Sequence, residues 1–567
     1  MKHIFKTIIK TSILFLAILL FNGCETTDLE VKDSPNGVKP SAADTDLFLN
    51  AIQLRLADFI TGIEGSGFKG MSEIGMEAVR MTHGFGPSYR ELNDPGDFNQ
   101  VWGTAYSSIL ADIRSMTPIS IENGQFTHVA IAQIIESYVM MTLVDFFGDV
   151  PYTEAIYGTE GNFNPKADSG ASIYEAVDLL LIDAISNLNK EEFSSPKLDL
   201  YFNGNENKWE KLANTLRLKL HLQQKLVNQS TSVSIINTLI NGNILILDSA
   251  DDFQFQYSAN SSAPDSRHPY FEKNFGGSGP SSGFYFSNYY MNLLANNYST
   301  ADPRTRYYFY RQVSNFSDAS VVTKECSTQN KPSYYSAEDV FCTVPNTNGF
   351  DGFWGRDHLD NDGIPPDDQY RTLFGAYPVG GPFDDDSDRN VSGSDAPDEG
   401  FLGAGISPIM LSSFTNFMLA EAALTLGTTG SAGTYLENGI RTSISKTMNF
   451  GLDLAVASFI PSPSYIDNYV AEVMTAYNMG SDNIKLKIIA EQYFIALWGN
   501  GIEAYNTYRR TGQPNDLQPA HDLSDPGVFV RSHWYPAAAA DNNKNITQKS
   551  DVTTPIFWDK NPEGFVD

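Results

Sequence analysis

Apolar residues recur at helical spacing over much of the chain. Leu47, Ile52, Leu54 and Phe59 mark a first helix, and the runs Val101 to Met116, Val129 to Phe147, Ile173 to Leu188 and Trp209 to Val227 continue the pattern. Four more periodic runs come late in the chain, at Ile409 to Leu426, Tyr435 to Met448, Tyr465 to Met479 and Ile484 to Trp498. Such a succession predicts a mainly α fold built from helix pairs. No strict repeat at a fixed period relates them, so any tetratricopeptide-like arrangement is degenerate.

Between about 249 and 405 the periodicity stops, and Gly, Pro, Ser, Asn, Asp and aromatic residues dominate. A loop-rich stretch of that length inside a folded protein usually carries function. The expected layout is one body over 44–567: helical blocks at 44–248 and 406–500, the irregular insertion between them, and a mostly irregular tail over 501–567.

The N-terminus reads differently. Lys2, Lys6 and Lys10 precede the apolar run Ile13 to Phe21, which is too short to span a bilayer core of ~30 Å and has the build of a secretory signal. The run ends in Leu20-Phe21-Asn22-Gly23-Cys24, which resembles a lipobox and assigns residues 1–23 to a cleaved signal and Cys24 to lipidation. Several acyl chains on one cysteine would anchor the protein firmly to a membrane. Residues 24–43 are polar and lack an apolar period, as a tether would.

Charge narrows the choice of partners. The chain carries 38 Lys and Arg against 68 Asp and Glu, a formal charge of −30. Loss of residues 1–23 removes three Lys and no acid and makes the chain more acidic still. Such a surface repels nucleic-acid phosphates and anionic lipids, which excludes nucleic acid as a ligand and makes a covalent anchor necessary for membrane attachment. Beyond Cys24 the only cysteines are Cys326 and Cys342. In an exported protein they are expected to form a disulfide within the insertion.

Several motifs taken together resemble the SusD/RagB family of surface glycan-binding lipoproteins, in particular its SusD-like subgroup. The strongest are Asp145-Phe146-Phe147-Gly148-Asp149-Val150-Pro151-Tyr152-Thr153-Glu154-Ala155 and Trp209-Glu210-Lys211-Leu212-Ala213-Asn214-Thr215-Leu216-Arg217-Leu218. Gly355-Arg356-Asp357-His358 leading to Gly363-Ile364-Pro365-Pro366-Asp367, Tyr377 to Gly381, Phe417 to Ala422 and Gly501 to Gly512 extend the match along the chain. The resemblance implies a helical body with an irregular ligand face, a position on the outer face of the outer membrane, and a SusC-like TonB-dependent transporter as partner. Each motif also has a structural reading: Gly148 and Pro151 as a helix stop, Trp209 as a packing anchor, and Arg217, Glu421 and Glu503 as members of ion pairs between helices.

Sugars present hydroxyl groups and apolar ring faces, so their sites combine an open aromatic plane with amide, carboxylate or guanidinium groups. In the insertion this composition points to Trp354 as the stacking plane, to Tyr285, Tyr289 or Tyr370 as a second one, and to Arg356, Asp357 or Asn288 as hydrogen-bonding partners. Glycine beside an aromatic, as at Gly283 and Gly355, is expected to let the ring stand clear of its backbone. Asp357, Asp360, Asp362 and Asp367 form an oxygen-rich turn that is a weak calcium candidate, since its spacing does not complete an EF-hand loop. No other cofactor is suggested. The chain lacks His-Glu-x-x-His and a phosphate-binding Gly-rich loop followed by Lys and Ser or Thr. The expected activity is capture without catalysis, with a peptide-binding lid and a surface glycoside hydrolase as the alternatives.

Overall fold

The computed structural model of the protein describes residues 44–63, 68–275, 284–313, 329–345, 347–349, 351–361, 370–387, 400–521 and 529–562. The signal, the whole tether 24–43 with Cys24, Gly283, Cys326, Asp362 and Asp367 lie outside the described residues. Helices set the architecture. In the N-terminal block these are α1 (Thr45–Thr61), α2 (Met71–Ala78), α3 (Ala111–Glu122), α4 (Phe126–Phe147), α5 (Gly170–Leu188), α6 (Glu206–Gln223) and α7 (Gln229–Gly242). The insertion contributes α8 (Pro269–Phe275) and α9 (Asn288–Asn296), and α10 (Ser412–Leu426), α11 (Ala432–Phe450), α12 (Pro463–Met479), α13 (Asp482–Ala496) and α14 (Gly501–Thr511) follow. The fold is mainly α, and residues from Thr45 onward form one compact unit.

Local sequence explains the helix ends. Ser169, Asn205, Ser431, Ser462 and Asn500 each cap a helix by accepting from a backbone N–H in its first turn. Gly148 after α4, Gly427 after α10 and Gly512 after α14 take positive φ and stop the helices there. Helix α4 is apolar all round and buried from Thr127 to Phe147, so it forms the axis of the first block, with α1, α3, α5 and α6 packed around it. In the second block α10 has the same role against α11 and α13.

Among the described residues four short antiparallel strand pairs complete the fold: β1 (Gly62–Ile63) with β2 (Phe68–Lys69), β3 (Val150–Pro151) with β4 (Ala167–Asp168), β6 (Phe309–Tyr310) with β7 (Leu373–Phe374), and a fourth that frames the insertion. Strand β5 (Phe253–Gln256) pairs with β8 (Ile406–Met410), so the insertion leaves and re-enters the body at adjacent positions.

Several expectations need correction. Residues 501–511 form a buried helix, not an irregular tail, because Asn500 caps it and Ile502, Tyr505 and Arg509 supply a helical stripe. Residues 229–242 form α7, hidden in the sequence by its Ser and Thr content. The run beginning at Ile409 opens as strand β8, and helix starts only at Ser412. In α1 the buried stripe is Leu49, Ile52, Leu56, Phe59 and Ile60, whereas Leu47 and Leu54 are 67% and 49% exposed.

Helices α2 and α14 cross in near contact. A Cβ on Gly75 would lie 2.2 Å from the Gly501 carbonyl oxygen, and one on Gly501 would lie 2.0 Å from that of Ser72. Only glycine permits this approach. Beside the crossing sits a buried polar network. The Asp145 carboxylate on α4 accepts from the Tyr174 hydroxyl on α5, Lys219 Nζ on α6 (3.2 Å), Asn506 Nδ2 on α14 (2.7 Å) and Trp558 Nε1 in the tail (2.9 Å). Lys219 also meets Glu503 at 3.2 Å.

A second buried pair ties α10 to α14. Arg510 holds Glu421 bidentately at 2.7 and 2.8 Å, and Lys225 reaches the same carboxylate at 2.9 Å. Arg217, the third residue expected in such interhelical pairs, meets Asp178 on α5 at 2.7 Å.

Two stability measurements follow. Asp145→Ala strands the Lys219 ammonium and the donors of Trp558 and Asn506 in the interior, and is expected to cost about 3–5 kcal/mol in urea unfolding. Burial pushes the Glu421 carboxyl up, but Arg510 and Lys225 outweigh it and hold the group down at about 2, below its ordinary value of 4.5. A depressed folded-state value stabilises above the unfolded one, so this contribution should fade as pH falls from about 4.5 towards 2. Glu421→Gln should flatten the acid limb of a stability-against-pH curve in that window.

Candidate ligand-binding site

The residues singled out in the insertion do come together, but as a buried knot. Asn288 opens α9, its N–H donating to the Arg356 carbonyl (2.9 Å) while the Arg356 N–H donates to that of Phe286 (3.0 Å). The Asn288 side chain accepts from Gly355 N–H (2.9 Å) and donates to Asp357 (3.0 Å). Asp357 also accepts from Gln518 Nε2 (2.7 Å) and from the Cys342 N–H (2.8 Å). One carboxylate therefore fastens three segments of the insertion to the stretch after α14. Burial pushes its pKa up, against the hydrogen bonds from Asn288, Cys342 and Gln518.

This geometry corrects the predicted stacking platform. Trp354 is 1% exposed and Tyr285 equally buried, while Tyr289, Arg356, Asp357 and Asn288 are buried as well. Trp354 is held on both sides by Thr372, whose N–H donates to the Trp354 carbonyl (2.9 Å) and whose hydroxyl accepts from the Trp354 N–H (3.1 Å). Tyr285 lies beneath the guanidinium groups of Arg371 and Arg356, 4.4 and 5.2 Å from its ring centroid. Gly355 does not free a neighbouring ring: a Cβ there would sit 2.0 Å from the Phe286 carbonyl oxygen, so the residue permits contact between two backbones. Of the predicted rings only Tyr370 is half-buried.

Of the calcium candidate, Asp362 and Asp367 lie outside the described residues. Asp357 is committed to three donors, Asp360 lies buried 3.7 Å from His521, and no group of three or more metal-ligating side chains occurs among the described residues. Cys342 is disulfide-bonded.

An open site lies elsewhere, where the insertion leaves the body. A cleft of about 610 Å³ runs between the end of α1 and the segments 255–258 and 265–272. Phe255 and Tyr257, both half-buried, meet edge to face at 5.0 Å, and the Tyr257 ring packs against His268 at 4.8 Å. Burial drives the His268 imidazole down to about 3, so it is neutral at any physiological pH. Arg267 bridges Asp265 (2.7 Å) and Glu272 (2.9 Å), and its guanidinium lies 5.6 Å from the Phe271 ring centroid. Gln256 donates to the carbonyls of Tyr257 (2.9 Å) and Gly405 (3.0 Å), which ties the cleft wall to the end of the insertion.

Asp58 completes the floor, its pKa raised by burial against the pull of Arg55. The cleft thus offers two ring faces, a fixed guanidinium, carboxylates and the hydroxyls of Ser258 and Ser266. That combination suits a hydroxylated, uncharged ligand. None of these residues was singled out from the sequence. The available signal was the alternation Phe253-Gln254-Phe255-Gln256-Tyr257, which marks a strand running out into solvent.

If Trp354 is part of the core and not a stacking plane, Trp354→Ala should lower unfolding stability by about 3–5 kcal/mol in denaturant titration. Tyr257→Ala, at a half-buried wall, should leave the far-ultraviolet circular dichroism spectrum unchanged.

Comparison with known proteins agrees with this architecture. A family profile described as "Starch-binding associating with outer membrane" matches residues 39–348, and one described as "Susd and RagB outer membrane lipoprotein" matches 407–554. No curated protein matches by sequence. Among solved structures, a chitin-binding protein is 21% identical with a TM-score of 0.62, covering 91% of this chain and 100% of its own. A SusD homolog from Bacteroides uniformis is 18% identical with a TM-score of 0.62, covering 91% of this chain and 99% of its own. A SusD/RagB family protein from Bacteroides thetaiotaomicron is 18% identical with a TM-score of 0.64, covering 92% of this chain and 100% of its own. The chain belongs to the SusD/RagB family of outer-membrane lipoproteins.

Proposed function

We propose that this protein captures an oligo- or polysaccharide at the cell surface and hands it to a SusC-like TonB-dependent transporter, without cleaving it. Cys24 carries the lipid in this reading, and residues 24–43 tether the body outside the outer membrane. The observation that carries the ligand class is the cleft at Phe255, Tyr257 and Arg267, with ring faces and bidentate polar groups side by side. Family membership supports the setting, and the name of the chitin-binding relative supports a carbohydrate ligand.

Charge supports an uncharged ligand too, since the surrounding protein is strongly acidic. Glycoside hydrolysis needs two carboxylates with opposed roles, one of them a proton donor. In the cleft Asp265 and Glu272 are both ion-paired to Arg267 and Asp58 is ion-paired to Arg55, an arrangement that favours binding over proton donation.

The test is isothermal titration of the soluble body, lacking residues 1 to 24, against storage and cell-wall glycans, with reducing ends assayed alongside. Saturable heat without new reducing ends is expected. Tyr257→Ala should weaken that binding about tenfold, the loss of one stacked ring with its buried area. New reducing ends would establish a hydrolase, and heat with peptides alone would establish a peptide lid.

A further inference from the structure

A second cleft lies in the helical block, remote in sequence from the insertion. Trp102 ends a short helical stretch, and the chain then passes through a π-helical segment, Thr104–Leu110, before α3. Such segments disturb the regular ladder and recur at functional sites. The Trp102 and Tyr106 rings meet at 4.5 Å, tilted by 40°, and the Tyr106 hydroxyl is fixed by donation to the Pro151 carbonyl at 2.7 Å. Opposite them stands Phe163, 74% exposed.

The other wall is a strap from the C-terminal region. Asn543 Nδ2 donates to the Pro165 carbonyl (2.8 Å), the Lys544 N–H to Asn164 Oδ1 (3.0 Å), and the Ala538 N–H to Asn99 Oδ1 (2.7 Å). These bonds hold residues 538–546 against the loop that carries Phe163. The enclosed volume is about 230 Å³, the size of a single sugar residue rather than a chain.

Two features define what fits. Among the described residues no charged side chain lines this cleft, in a chain of net charge −30. Hydrogen-bonding capacity is nevertheless present: among the described residues no acceptor meets the Trp102 indole N–H, and Asn542 uses its Nδ2 on the Ala538 carbonyl (2.9 Å) while its Oδ1 has no donor. An uncharged ring with an apolar face and peripheral hydroxyls meets both conditions. A charged ligand would be desolvated without compensation.

We propose that Trp102, Phe163 and Asn542 form a second saccharide subsite, which binds one neutral sugar unit independently of the cleft at Tyr257. The inference rests on the glycan reading of that cleft and adds a site to it. Two sites on one rigid body would retain a long polysaccharide more strongly than either alone, because the second contact is made at high effective concentration.

The soluble body, lacking residues 1 to 24, is titrated with short oligosaccharides of the glycan that binds best, in four forms: wild type, Phe163→Ala, Tyr257→Ala and the double variant. Phe163 is exposed, so its removal should leave the melting temperature unchanged. At ligand concentrations that just saturate the wild type, two ligands per chain are expected there, about one in each single variant, whose altered site is about tenfold weaker, and few in the double. On the long polysaccharide, Phe163→Ala should weaken binding about tenfold or more. Unchanged stoichiometry in Phe163→Ala would overturn the second subsite and leave the first cleft standing. Loss of all binding in Tyr257→Ala alone would overturn it equally. Silence of the wild type towards every sugar would overturn both readings, and saturation of the Phe163 cleft by uncharged aromatic peptides instead of sugars would overturn the ligand class.

Discussion

One buried carboxylate holds the two ends of the chain together. Asp145 lies at the end of α4, and its two oxygens accept from side chains on α5, on α6, on α14 and in the tail near Trp558. A charge so placed is costly unless every lone pair is used, and here the donors come from segments separated by up to 413 residues. The network therefore acts on topology as much as on stability, since it is complete only when the C-terminal helix has docked onto the first block. The glycine contact between α2 and α14 fixes the same docking sterically. Arg510 and Glu421 do so for the second block.

With both blocks fixed, the insertion has defined ends. Its aromatic residues then answer a different need from the one their composition suggests. A segment with few hydrogen-bonded elements of its own must still exclude water from its backbone, and large rings do that efficiently. Phe286 touches Phe309, Phe374 and Trp498 at 4.7, 4.8 and 4.9 Å, so the insertion builds its core onto a tryptophan supplied by the helical body. Trp354 and Tyr285 belong to that inner layer. The rings left for a ligand are those at the margins, where the strand pair β5–β8 ends and Phe255 and Tyr257 emerge.

This division explains what was legible in the sequence. Long helices that are apolar on every side, such as α4 and α10, declared themselves, and the motifs around Asp145 and Trp209 identified the family because they encode contacts on which the fold depends. Trp209, for example, donates its indole N–H to Asp199 at 2.8 Å in a cluster with Phe202 and Phe253. Helix α7 was hidden because its buried positions are few, and α14 because Glu503, Asn506, Arg509 and Arg510 share its buried face with Ile502, Tyr505 and Tyr508. Polar residues that pair in the interior carry no hydrophobic period.

The site was the least legible part, for a reason general to loop-rich ligand surfaces. A tryptophan flanked by glycine reads the same whether the glycine frees the ring or lets another backbone pass, and at Gly355 the second holds. Composition cannot tell an inward ring from an outward one where no strand or helix fixes its direction. Strand alternation can: in Phe253-Gln254-Phe255-Gln256-Tyr257 the first ring is buried against Trp209 while the later ones line the cleft, because the strand passes from the core to the surface along its own length. The most informative aromatic residues in such a protein are therefore those on the short regular elements that border an irregular region, and not those within it.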